Sequence, residues 1–106
     1  MGKYMFQASY TAAGAKGLLK EGGSQRRAMI EQTMKGLGGR LDAFYYAFGE
    51  TDVYVIVDLP DHVASAAASL AVCASGAATM RTVVLMTPEE MDEASKKTVG
   101  YRPPGN

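Results

Sequence analysis

One stretch constrains this chain more than any other. Residues 38 to 59 read GGRLDAFYYAFGETDVYVIVDL: a strand-like run, a polar turn and a second strand-like run. Alternation with a period of two puts Val53, Val55, Val57 and Leu59 on one face of the second arm, and Tyr54, Ile56 and Asp58 on the other. The same alternation sets Leu41, Ala43, Tyr45 and Ala47 against Arg40, Asp42, Phe44, Tyr46 and Phe48 in the first arm. β-branched and aromatic residues suit a pleated surface. Gly49 to Asp52 supplies a turn of ordinary hairpin length. Large apolar side chains thus occupy both faces of the hairpin. One layer of helices covers only one of them.

The flanking segments supply that layer. Lys3 to Tyr10 alternates as a first strand, with Tyr4, Phe6, Ala8 and Tyr10 on one face and Met5 and Gln7 on the other. Thr11 to Gly23 holds Gly14, Gly17, Gly22 and Gly23, a composition that predicts a loop with one helical turn. Ser24 then reads as the N-cap of a helix to Leu37, stopped by Gly38 and Gly39. Its apolar stripe is Met29, Ile30, Thr33, Met34 and Leu37, with Arg26 projected onto the middle of it. After the hairpin, Asp61 caps an Ala-rich helix from His62 to Ser75, ended by Gly76. Met80 to Thr87 is the last strand. Thr87, Pro88 and Glu90 form a capping box for a further helix, and residues 98–106 form an extended tail.

The order β-α-β-β-α-β plus a C-terminal helix is the ferredoxin-like plan. It predicts an α+β fold, with an antiparallel four-stranded sheet and helices on one face. At 106 residues the chain is expected to form a single domain. The uncovered face predicts a homo-oligomer joined sheet to sheet.

Composition removes several function classes. Lys+Arg and Asp+Glu balance at 11 each, so nothing favours phosphate neutralisation and no nucleic-acid partner is expected. RNA stacking on sheet aromatics is disfavoured on the same ground. No apolar run is long enough for a membrane span, and no signal-peptide pattern opens the chain. With Cys73 the lone cysteine, a cytoplasmic location is the simplest reading. No Walker-type or Rossmann-type glycine loop, nucleophile elbow or metal-ligand spacing occurs, so no cofactor and no metal are expected.

The chain resembles the GYD-domain family of small bacterial and archaeal proteins. The resemblance spans nearly the whole length. It rests on Thr11 and Gly14 after the first strand, Arg26 (or Arg27) opening the helix, and Leu37-Gly38-Gly39. The Gly49-to-Asp52 turn, Gly76 and Arg81-Thr82 complete it. The family's turn usually reads Gly, any residue, Tyr, Asp. Thr51 stands where that tyrosine falls, so no role of its ring carries over. The resemblance implies membership of the dimeric α+β barrel group and leaves the chemistry open.

Each candidate residue has a functional and a structural account. Arg26 or Arg27, near a helix N-terminus, suits a carboxylate or phosphate. Alternatively Arg26 pairs with an internal carboxylate such as Asp52 or Asp58, or reaches out to solvent. Asp52 closes the turn or contributes to the same cleft. Asp58, on a largely apolar face, is a weak candidate for a general base beside Tyr54, or else a strand-end carboxylate. His62 is the only histidine and either moves protons or lies exposed at a helix start. Cys73 reads as a small buried hydrophobe. Tyr45 and the other tyrosines line a pocket for a flat molecule, or an interface.

Two readings follow. One is a binding or regulatory module for a small anionic or aromatic ligand at Arg26, Arg27, Asp52 and Tyr45. The other is a cofactor-independent oxygenase or isomerase using Asp58, His62 and Tyr54, which rests on fold analogy.

Overall fold

The structure, a computed structural model, describes residues 1–106. Strand β1 (Gly2–Tyr10) is followed by helices α1 (Ala12–Glu21) and α2 (Gly23–Gly36), then by the hairpin strands β2 (Arg40–Tyr46) and β3 (Val53–Leu59). Helix α3 (His62–Ala74), strand β4 (Ala78–Leu85) and helix α4 (Pro88–Ser95) complete the chain. The sheet runs β2-β3-β1-β4, antiparallel throughout. This is the ferredoxin-like arrangement, with one helix more before β2 than the sequence reading allows.

Strand pairing places the core. Tyr4 lies opposite Val57 and Phe6 opposite Val55, so the largest side chains of the two central strands share the helix-covered face. Tyr4, Phe6, Val53, Val55, Val57 and Leu59 are buried there with Met34 of α2 and Ala68 of α3. Burial of each larger member contributes about 1.5–3 kcal/mol. The alternation read in β1 and β3 holds residue for residue.

Strand β2 breaks its alternation. Leu41 pairs with Val57, but Ala43 pairs with Ile56, leaving Asp42 as the extra residue of a β-bulge. The faces therefore exchange in mid-strand. Leu41 and Phe44 both pack against the core, whereas Ala43 and Tyr45 pair with Ile56 and Tyr54 on the open face. The expected grouping of Leu41 with Ala43 and Tyr45, and of Phe44 with Asp42, is thus corrected. The strand also ends at Tyr46, and Phe48 is fully exposed in the loop.

The glycine-rich segment after β1 is a helix rather than a loop. Thr11 caps α1 by accepting from Gly14 N at 3.2 Å. Its hydroxyl also donates to Gly76 O at 2.6 Å, and its backbone N–H donates to Ala77 O at 3.0 Å. Gly14 is required by packing, because a Cβ there would fall 1.9 Å from the Ala77 carbonyl oxygen. Helix propensity lost at two glycines is offset by this docking onto the α3–β4 turn. Gly22 (φ 88°) then ends α1, donating to Leu18 O, and begins α2. It takes the N-cap position expected for Ser24. The last strand begins at Ala78 and ends at Leu85, two residues earlier than read. The caps by Asp61 and Thr87 are as read: Ala64 N donates to Asp61 Oδ1 at 2.9 Å, and Thr87 and Glu90 form a reciprocal capping box.

The two α1 glycines predict opposite outcomes. Gly14→Ala should lower stability by about 2 kcal/mol or more, because backbone must move. Nothing lies within 4 Å of a Cβ at Gly17, so Gly17→Ala should raise stability by about 0.5–1 kcal/mol. Urea midpoints of the two variants against the parent check both signs.

Candidate functional site

Helix α2 packs over β2, and α3 packs over β4. The middle of the sheet between them is left as a cleft on the helix side. Its walls include Phe6, Ile30, Met34, Phe44, Val55 and Val72, and it encloses about 100 Å³. Arg26 is the only charged side chain lining it. An apolar cavity of roughly 150 Å³ suffices to hold a benzene ring. The space, about two-thirds of that, admits a short chain or the edge of a small ring.

Arg26 reaches this cleft because it is one turn before Ile30 and two before Met34 on α2. The buried stripe is Arg26, Ile30, Met34 and Leu37; Met29 and Thr33, read as part of it, are exposed. The guanidinium is one-third exposed, and its nearest carboxylate is Glu21 Oε2 at 3.7 Å, looser than a hydrogen bond. Neither internal carboxylate proposed for it is its partner. Asp52 Oδ2 accepts from Tyr10 N at 2.9 Å, while its own N–H donates to Ala8 O. Asp58 lies on the opposite face of the sheet.

Tyr10 lines the cleft, and Tyr46 lies beside it next to Tyr10 and Arg26. Tyr46 donates to Gly23 O at 3.0 Å. Burial, then the neighbouring Tyr10, raises its hydroxyl above the usual tyrosine value. Helix α2 opens nearby with neither a side-chain cap nor an acidic residue in its first turn. Its N-terminal partial positive charge is therefore uncompensated locally. Arg27 is exposed and borders a shallow surface depression with Gly23, Ser24, Phe44 and Tyr46.

The open face of the sheet carries a separate group. Asp58 Oδ1 lies 3.1 Å from Lys3 Nζ, and Asp58 Oδ2 lies 3.1 Å from Arg40 Nε. Asp42, turned to this face by the bulge, pairs with Lys3 and with Arg40 Nε at 3.0 Å. Hydrogen bonding to Lys3 holds the Asp42 carboxyl below its ordinary value, and the two carboxylates raise the Lys3 ammonium. Both oxygens of Asp58 are thereby engaged by cations, which opposes its acting as a free base. Tyr54 and Tyr45 lie on the same open face, paired with each other across β3 and β2.

His62 belongs to neither group. It opens α3, where its Nδ1 sits 2.7 Å from the hydroxyl of the buried Tyr4. The sheet thus separates His62 from Asp58 and Tyr54, so the three residues considered for proton transfer are not brought together. Cys73 is exposed rather than buried, because α3 covers the sheet with its Ser65 and Ala68 side. No group of three His, Cys, Asp or Glu side chains is placed to share a metal ion. No helix is long and apolar enough to cross a membrane.

A four-stranded antiparallel sheet with its two larger helices over one face defines a small α+β domain of ferredoxin-like plan. The chain belongs to the GYD domain family, which matches residues 4–95. No curated protein and no solved structure matches it. Four of the residues that carry the family pattern have backbone tasks here. Thr11, Gly14 and Gly76 join β1 and α1 to the α3–β4 turn. Gly39 lets the α2–β2 connection approach the Asp58 carbonyl, which a Cβ would meet at 2.0 Å. The Tyr10–Asp52 bond was not foreseen, although the position of Asp52 immediately before β3 was the available signal.

The ion cluster predicts an acid-side effect. A carboxyl whose folded pKa is depressed contributes stability above its unfolded value and loses it as pH falls through the folded one. The advantage of the parent over Asp42→Asn should be largest above pH ~5, at about 1 kcal/mol. It should close as pH falls below 3.8. Urea titrations at several pH values read this directly.

Proposed function

We propose that this chain is a homo-oligomeric binding or regulatory module for a small anionic, partly apolar ligand. The ligand's apolar part occupies the cleft between α2 and α3, and its anionic end meets Arg26. The observation that carries this reading is a single, loosely paired guanidinium at the rim of an otherwise uncharged apolar cleft. A charge in that setting gains most from a ligand carboxylate, which meets guanidinium geometry with two parallel hydrogen bonds. The uncapped α2 N-terminus adds favourable potential on the same side. The cleft volume restricts the class to compounds such as an aromatic or short-chain carboxylate.

Of the four ligand positions read from sequence, Arg26 is retained at the centre and Arg27 at its margin. Asp52 supports the site by fixing the end of β1 beside Tyr10. Tyr45 belongs with the oligomer contact. That contact is the open sheet face, where Met5, Ile56, Val83, Tyr45 and Tyr54 form an apolar band beside the Lys3–Asp42–Asp58–Arg40 cluster. Two such faces stacked by a two-fold axis bury the band and leave the charges at its edge.

Isothermal titration with benzoate and hexanoate tests the cleft. Binding by the parent should fall about 10- to 100-fold in Arg26→Gln, the range for losing a charge-assisted pair. Ala68→Phe, which fills the space, should abolish it. Equal affinity in the parent and Arg26→Gln would refute the assignment. For the sheet face, sedimentation velocity of Ile56→Lys should give half the parent mass or less, with native circular dichroism retained.

A further inference from the structure

The C-terminal arm has no partner within its own subunit. Every residue from Pro88 to Asn106 is exposed, among them Met91 at 56%, Val99 at 75% and Tyr101 at 70%. Yet α4 is the most completely capped helix of the molecule. An eight-residue helix gains too little from its own hydrogen bonds to persist in water, so it needs a surface to lie on. The arm enlarges the whole subunit. The radius of gyration is 16.9 Å, against about 13 Å for a folded chain of this length. The accessible surface is 7472 Å², against about 5,700 Å² for a monomer of this mass. The difference exceeds the area of about 800 Å² that one partner gives up in a stable complex.

A second surface is equally unpartnered. Between α3 and the edge strand β4 runs a groove lined by Tyr4, His62, Ser65, Leu70, Thr82 and Val84. Helix α3 contains no Asp, Glu, Lys or Arg. Leu70 is 70% and Val84 58% exposed. Apolar, uncharged surface of this kind on both walls of a groove marks an interaction site.

We propose that this groove receives residues 87–106 of a second copy of the chain. Met91 and Ala94 share one side of α4, and Glu89 and Glu93 the other, so the helix can lay an apolar side on Leu70 and Val84 with its acids in water. The hydroxyls of Ser69 and Thr82 offer partners to the backbone of the tail, which has few of its own. The arm does not fold back onto its own groove, because the joint is fixed. Pro88 restricts Thr87 to extended geometry, and the Thr87–Glu90 box holds α4 on that heading. The tail beyond α4 adds up to about 36 Å of reach, ample to cross to a neighbour. The inference stands apart from the sheet-face contact, since the groove lies on the helix side.

Cys73 provides the test. It is exposed and lies on the same side of α3 as Ala66 and Ser69, along the groove. Chains carrying Met91→Cys or Val99→Cys in a Cys73→Ala background are mixed with the unaltered chain and oxidised mildly. Neither chain can then form this bridge internally. A mixed disulfide of two chains should form severalfold faster from at least one of these positions than from Glu89→Cys, on the opposite side of α4. Equal rates at all three positions would overturn the proposal. So would an intramolecular disulfide as the main product when Cys73 and Met91→Cys, or Cys73 and Val99→Cys, share one dilute chain. Loss of the mixed disulfide with the oligomeric mass unchanged in sedimentation would remove the arm contact alone and leave the sheet-face contact in place.

Discussion

The close approach of α1 to the α3–β4 turn decides the geometry of the helix layer. Thr11 and Gly14 bring the start of α1 to within hydrogen-bonding distance of Gly76 and Ala77. The contact fixes where α1 begins, and Gly22 fixes where it stops. Helix α2 starts from that point with no intervening linker, and so its course over β2 is set by a contact at the other side of the sheet. Because α3 is held over β4 by the same turn, the two large helices cover opposite sides of the sheet. The cleft lies between them, walled by Ile30 and Met34 of α2 and by Ala68 and Val72 of α3.

Much of this architecture can be read from residue types. The four strands, the covered face of β1 and β3, and the caps at Asp61 and Thr87 follow from alternation and from short polar side chains before helical runs. Helix α1 was hidden because its glycines signal a break when taken locally. Gly14 is there for a tertiary contact 63 residues further along the chain, at Ala77, which no local pattern reports. The bulge at Asp42 was equally invisible, since strict alternation fits Leu41 to Phe48 just as well. What selects the bulged register is burial of both Leu41 and Phe44, together with two cations awaiting Asp42 on the far face.

The candidate site was legible in one respect. An arginine projected onto an apolar stripe implied an unusual environment, and Arg26 is indeed the charged residue of the cleft. Its neighbours were not legible. Tyr10 and Tyr46 come from β1 and β2, strands that are not adjacent in the sheet, and become neighbours only because β3 brings those strands to its two sides. Tyr4 and His62, 58 residues apart, likewise meet only through the pairing of β1 beside β3. Asp58 illustrates the converse. Its position on an apolar face was read correctly, but two cations that neutralise it arrive from β1 and β2.

The single-residue joint at Gly22 bears on how chains of this kind can vary in length. One residue inserted just after it, inside the first turn of α2, turns everything beyond by about 100° and advances it about 1.5 Å along the helix axis. Arg26 would leave the cleft while α2 remained a perfectly good helix. The loop between Tyr46 and Val53 tolerates added residues only at its exposed tip, Phe48 and Gly49, because Asp52 is bonded to Ala8, Tyr10 and Ala47. A chain that keeps this cleft must therefore keep the length of its α1–α2 segment.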